Sequence, residues 1–200
     1  MIYELKETWR ASALFAGWQD SVVWSALQGV MGKIYVDSLE KPESGVVMLG
    51  DFCFLSGKPK SEIISGALTN SASEEVILVP QNDDWAQMIV ECYGEKAEKA
   101  IRYAIKKEPG VFDLKQLQKV TQSLPGEYEM RMIDQALFEI CRDTQWSKDL
   151  TANYESYSQY KEYGLGVCIL TGGEVVAGIS SYSGYGRRSD ENLGCHGGIE

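Results

Sequence analysis

The sequence has one histidine, His196, and no Cys-x-x-Cys pair. A single imidazole beside scattered thiols does not supply a four-ligand zinc set, so no metal is expected. Basic residues are also scarce. Lys and Arg number 19 against 29 Asp and Glu, a net charge of −10, and both halves of the chain are acidic. Nucleic-acid binding needs cations to neutralise phosphates, so that partner class is disfavoured. No apolar run approaches the ~20 residues that span a bilayer, so no membrane partner is expected. The first residues, from Met1 to Glu7, lack a basic stretch followed by an apolar one. A secretory signal is therefore not expected, and the cytoplasm is the default compartment.

The cysteines are five, an odd number, and widely spaced: Cys53, Cys92, Cys141, Cys168 and Cys195. The first four sit in apolar surroundings and read as buried, reduced thiols. Cys195 and His196 are neighbours in sequence, but a nucleophilic pair requires neighbours in space. What the chain does have is a globular composition, 44% hydrophobic and 24% charged. Its acidic surface suits cationic small molecules such as amines.

Periodicity predicts a mixed α/β, or α+β, fold. Val23, Leu27 and Val30 recur at helical spacing within 15–29, a stretch that stops at Gly29. A short strand is expected at 33–36. The β-rich run 45–54 is broken by Gly50 and Asp51. Pro59 suits the first turn of a short helix. The run 75–79 is a compact strand closed by Pro80. Asn82 then caps a helix carrying Trp85, Met88, Ile89 and Cys92, ended by Gly94. A further helix is predicted over 96–107, supported by Glu95–Lys99 and Glu98–Arg102 pairs at i, i+4.

Leu124, Pro125 and Gly126 mark the best candidate boundary, which divides the chain into 1–124, 125–185 and an irregular Gly-rich tail, 186–200. After the boundary, Tyr128, Met130 and Met132 alternate with Glu129 and Arg131, the pattern of a strand with one buried face. Asp134 caps a helix carrying Ala136, Leu137, Ile140 and Cys141. Ser147 is expected to cap another running from Lys148 toward Tyr160. Strand 164–170, a turn at Gly172 and Gly173, and a return strand over 175–183 follow, the paired glycines supplying positive φ. The order is strand, helix, helix, strand, strand.

That order is how the GCN5-related N-acetyltransferase (GNAT) fold begins, and specific words agree with it. Gly17-Trp18-x-Asp20-Ser21, Leu27-Gln28-Gly29-Val30-Met31-Gly32, Gly50-Asp51-Phe52-x-Phe54 and Pro80-Gln81-Asn82-Asp83-x-Trp85 resemble the two-domain acetyltransferases that include the zwittermicin-resistance enzyme. So do Trp146-Ser147-Lys148-Asp149-Leu150, Asn153-Tyr154 and Gly173-Glu174-Val175-Val176-Ala177-Gly178-x-Ser180-Ser181-Tyr182-Ser183. The resemblance covers roughly residues 10–185. It implies an N-terminal α/β domain followed by the first half of a GNAT domain. It also implies acetyl-CoA as co-substrate and a primary amine of a small molecule as acceptor. The amine would attack the thioester directly, with a strand N–H polarising its carbonyl.

The same resemblance suggests Trp146, Tyr154, Tyr182 and Ser183 as substrate-binding residues, with packing as the alternative role of the three aromatics. Glu200 is its candidate general base. The family places an Arg/Gln-x-x-Gly-x-Gly/Ala turn after the fourth strand to hold the pyrophosphate of acetyl-CoA. Residues 197–200 look like the opening of that strand. The chain is therefore expected to be a C-terminally truncated form lacking the turn. Asp20, Gln28 and Asp51 are read as turn-holding polar residues, or as groups that grip a substrate or dock the domains. The alternative reading is a non-catalytic ligand-binding module, or one that forms a homodimer through an exposed sheet edge near 175–182.

Overall fold

The structure is a computed structural model, and it describes residues 1–71, 75–103, 108 and 110–186. It has two sheets and six α-helices among those residues, the mixed α/β class expected from the periodicity. The chain divides into two compact units. The first comprises Met1–Ala97, Ala152–Gly164 and Ser181–Glu200; the second comprises Glu98–Thr151 and Leu165–Ser180.

The first unit is built on a five-stranded sheet, β1 (Tyr3–Glu4), β2 (Lys33–Val36), β3 (Ser44–Leu49), β4 (Phe52–Gly57) and β5 (Ile77–Pro80), in that spatial order. The first four strands pair antiparallel, and β5 runs parallel to β4. Every residue of β3 is buried, which explains why 45–49 is a continuous apolar run rather than an alternating one, while the buried Ser44 hydroxyl donates to the Lys58 carbonyl at 2.6 Å. One face carries Tyr35, Val46, Met48, Cys53 and Leu55. It packs with Ile63, Ile64 and Ala67 of α2 (Ser61–Asn70) and with the fully buried Trp85 of α3 (Asp83–Tyr93). Phe54, alternate to that face, meets Trp18 edge-on at 5.2 Å, and α1 (Ser21–Leu27) lies against β2 and β3.

Local chemistry sets the helix ends. The Asp20 carboxylate accepts from the Val22 N–H at 2.9 Å and the Asn82 side chain from the Trp85 N–H at 3.1 Å, each relieving a donor that the first turn leaves open. The Trp85 indole donates to the Gly57 carbonyl at 2.9 Å, which ties α3 to the end of β4. The last helix of this unit is α6 (Tyr157–Tyr163), capped by Ser156.

The second unit holds α4 (Leu114–Gln122) and a three-stranded antiparallel sheet, β6 (Tyr128–Met132), β7 (Gly166–Thr171) and β8 (Glu174–Ser180). Gly172 and Gly173, with φ of 57° and 86°, close the β7–β8 hairpin as predicted. Leu137, Phe138 and Cys141 of α5 (Gln135–Asp143) are buried, and Cys141 meets Cys168 of β7.

Five sequence expectations are corrected, the last of them the burial of Cys92. No helix forms over 97–103, and 104–107 lie outside the described residues; Ile101 and Tyr103 are exposed, so no packing supplements the few tenths of a kcal/mol that each surface pair provides. Ser147 opens only a 3₁₀ turn, Lys148–Leu150, and the next helix is capped instead by Ser156. The return strand ends at Ser180, so Tyr182 and Ser183 lie beyond it. The alternation in β6 is real, but Tyr128, Met130 and Met132 are exposed at 39%, 43% and 56%. Period two reports which residues share a face, and the covering layer is a separate matter. Among the cysteines, Cys53, Cys141 and Cys168 are buried, Cys92 is exposed, and Cys195 is outside the described residues.

Candidate functional site

Beyond β8, residues 181–186 fasten onto the first unit through a series of polar contacts. The Tyr182 hydroxyl donates to Asp51 Oδ1 at 2.7 Å and to the Leu49 carbonyl at 3.0 Å, both at the β3–β4 turn. Its ring meets Phe52 edge-on at 5.3 Å. Ser183 Oγ lies 3.0 Å from Ser21 Oγ at the start of α1. Ser25 Oγ donates to the Gly184 carbonyl at 2.5 Å, and the Gly186 N–H donates to Gln28 Oε1 at 2.8 Å. Tyr185 packs edge-on against Trp24 at 5.4 Å.

A second strap, residues 152–159, belongs to the same assembly. Asn153 Nδ2 donates to the Tyr182 carbonyl at 3.1 Å, and the Tyr154 hydroxyl lies 2.8 Å from Ser181 Oγ. Tyr154 is only 1% exposed and packs edge-on against Tyr160 at 4.9 Å. Gln159 Nε2 donates to the Val30 carbonyl at 3.0 Å, in the loop between α1 and β2. Gly50 sits where these straps meet. Its φ is +59°, and a Cβ there would collide with the Tyr182 hydroxyl.

Burial, with the hydrogen bond to Asp51, pushes the Tyr182 phenol up to about 12. Burial also raises Tyr154, against the opposing bond from Ser181. Both phenols are therefore neutral at pH 7. Tyr182 is 38% exposed, but its proton is already committed to two acceptors.

A cleft of about 460 Å³ adjoins this junction, bordered by Gly50 and Asn153 and also lined by Lys33, Asn70, Glu155 and Gln159. That volume falls within the range of small-molecule sites. Its lining combines one cation, one anion and several amides, a set suited to polar ligands with both donor and acceptor groups. A wider opening of about 790 Å³ is bordered by Gln28, Glu162, Tyr163 and Tyr185.

Of the residues singled out in the sequence, Tyr154, Tyr182 and Ser183 come together in the first unit. Trp146 belongs to the second unit and is 52% exposed. Glu200 and the tail 187–200 lie outside the described residues. Asp20 caps α1, while Gln28 and Asp51 each accept a hydrogen bond from the 181–186 strap. Lys33, Glu155 and Gln159 carried no signal in sequence, because no local periodicity or motif brings their segments together. Among the described residues, no group of three or more His, Cys, Asp or Glu side chains is placed to hold a metal ion. No helix among them is long and apolar enough to cross a membrane.

A family model described as GNAT acetyltransferase matches residues 12–190. No curated protein matches the sequence. Among solved structures, the chain is similar to a GCN5-related N-acetyltransferase-like protein from Streptococcus suis 89/1591. The TM-score is 0.79 and the identity 39%, over 90% of this chain and 72% of that one. The family match takes in nearly the whole described chain, from the segment before α1 to the strap after β8. This chain belongs to the GNAT acetyltransferase family.

Proposed function

We propose that this protein transfers an acetyl group from acetyl-CoA to a primary amine of a small polar molecule in the cytoplasm, as a relative of the two-domain acetyltransferases that include the zwittermicin-resistance enzyme. The observation that carries this reading is the family match across residues 12–190. In the reaction the amine nitrogen attacks the thioester carbonyl. The C–N bond forms, the C–S bond breaks, and CoA leaves as its thiolate. The attacking ammonium must first lose a proton, and the net charge of −10 favours its approach as a cation.

Trp146, Tyr154, Tyr182 and Ser183 are the proposed acceptor-side residues, and Glu200 is the proposed base. Tyr182 acts by holding the strap, since its neutral, doubly engaged hydroxyl is not a proton acceptor at pH 7. By the resemblance, the turn for the pyrophosphate of acetyl-CoA comes after the strand whose opening residues 197–200 resemble. No step is routed through it.

The test is thermal unfolding with acetyl-CoA, with free CoA alongside, followed by thiol release against a panel of amines. A ligand at 100 times its dissociation constant stabilises by about 2.7 kcal/mol, a shift of several degrees for a chain of this size. No shift at millimolar cofactor would overturn the reading for this chain.

A second reading, a non-catalytic module that self-associates, is favoured by β8. Among the described residues no strand pairs with its outer edge, and Val176 and Ile179 on it are exposed. Sedimentation that stays monomeric at all concentrations would sink it.

A further inference from the structure

Two cysteines of the second unit face each other. Cys141 stands on α5 and Cys168 on β7, both are fully buried, and their sulfurs are 3.7 Å apart. A disulfide needs a sulfur separation of about 2.05 Å, so closure asks for less than 2 Å of combined movement. The strand side can give way to it. Gly178 of β8 is the register partner of Cys168; with no side chain of its own it puts only backbone against the Cys168 sulfur, and the Leu150 side chain, flexible at its end, fills the place a Cβ would take. The other described cysteines lack this arrangement: among the described residues no second thiol is placed against buried Cys53 or exposed Cys92.

We propose that Cys141 and Cys168 are a redox modification site, closed by a small disulfide oxidant of the glutathione class into an intramolecular disulfide that staples α5 to β7. One thiolate attacks a sulfur of the oxidant, the oxidant's S–S bond breaks, and one glutathione thiolate leaves. The second cysteine's thiolate then attacks the sulfur of the resulting mixed disulfide. The Sγ–Sγ bond forms and the second glutathione leaves. The two protein protons end on the two glutathiones, and two electrons pass from the protein to the oxidant.

The kinetics follow from the burial. Burial and the neighbouring thiol push Cys168 up to about 12, which keeps it protonated in the closed state. Reaction therefore proceeds through openings of α5, in which a thiol regains its ordinary value near 8.5. Once one sulfur is capped, the partner a few ångströms away resolves it faster than a second oxidant molecule arrives.

The experiment incubates the full chain with oxidised glutathione at pH 8, quenches with acid, alkylates, and maps peptides without reduction. The expected result is a 141–168 linked peptide, the loss of two hydrogens' mass from that pair, and full reversal by a reducing thiol. Exposed Cys92 should carry a glutathione mixed disulfide instead. Cys141→Ser and Cys168→Ala should each abolish the linked peptide while leaving modification of Cys92 unchanged, and circular dichroism would verify their fold. Two results would overturn the proposal. One is a wild-type pair that stays alkylatable while Cys92 is modified. The other is a glutathione adduct that accumulates on Cys141 or Cys168 without closing.

Discussion

The junction at Gly50 makes a double-mutant prediction with a definite sign. Tyr182→Phe removes the hydroxyl that donates to Asp51 and Leu49 but keeps the ring against Phe52. A hydrogen bond to a charged acceptor contributes about 1.5–3 kcal/mol, and partial exposure of Tyr182 reduces this to about 1 kcal/mol. Gly50→Ala introduces a Cβ at φ +59°, a left-handed conformation that costs an L-residue roughly 1 kcal/mol. It also displaces the Tyr182 hydroxyl, forfeiting about the same 1 kcal/mol again. Alone, Gly50→Ala should therefore cost about 2 kcal/mol. In the Tyr182→Phe background the displaced group is already gone, so the double variant should cost about 2 kcal/mol rather than about 3. Urea unfolding followed by tryptophan fluorescence suits the measurement, because Trp18, Trp24 and Trp85 all report on the first unit. Strict additivity would refute the reasoning, since it would mean that the hydroxyl and the Gly50 position do not compete for one space.

Two further outcomes are expected. The Tyr182 phenol is raised from about 10 when unfolded to about 12 when folded, so its contribution is complete below pH 10 and is lost as pH rises through 12; urea midpoints should fall over that window in the wild type and fall less in Tyr182→Phe. Asp134 accepts from the Leu137 N–H at 2.9 Å and from Arg131 at 2.8 Å, which hold its carboxyl below the usual range. Asp134→Ala should cost about 1 kcal/mol at pH 7 by loss of the α5 cap, with the difference shrinking as pH falls below about 4, and an unchanged gap at acid pH would argue against the cap.

Local chemistry was the readable part of this fold. Asn82, Gly94, Asp134 and the Gly172–Gly173 turn each act through bonds within a few residues, and each stands where its residue type predicts. The strands β2, β3 and β4 were legible for the same reason, since apolar runs and a Gly-Asp break need no distant partner. What was hidden depends on distant partners. Nothing near 97–103 reveals that no surface awaits a helix there. Nothing near Tyr182 reveals that its hydroxyl ends on Asp51. Of the site, the words containing Asp20, Gln28 and Asp51 were visible as words, and their structural reading is the one the hydrogen bonds fit: Asp20 holds a helix end, and Asp51 and Gln28 hold the strap, a partner that no local pattern announces. The cleft residues Lys33, Glu155 and Gln159 come from three segments that no sequence pattern links.

The strap also has a consequence for how the chain is made. Asp51 and Tyr182 are 131 residues apart, and Ser21 and Ser183 are 162 apart. At a synthesis rate of about 5–20 residues per second, roughly 7 to 26 s pass between the emergence of Asp51 and that of its partner. During that interval β2, β3 and β4 can pair and α2 can dock. The start of α1 and the β3–β4 turn must wait, with Ser21, Ser25, Gln28 and the Leu49 carbonyl served by water. The first unit is thus begun by the first hundred residues and completed only by the last ones described, so a nascent chain arrested before Tyr182 should show a formed sheet with a solvent-open turn.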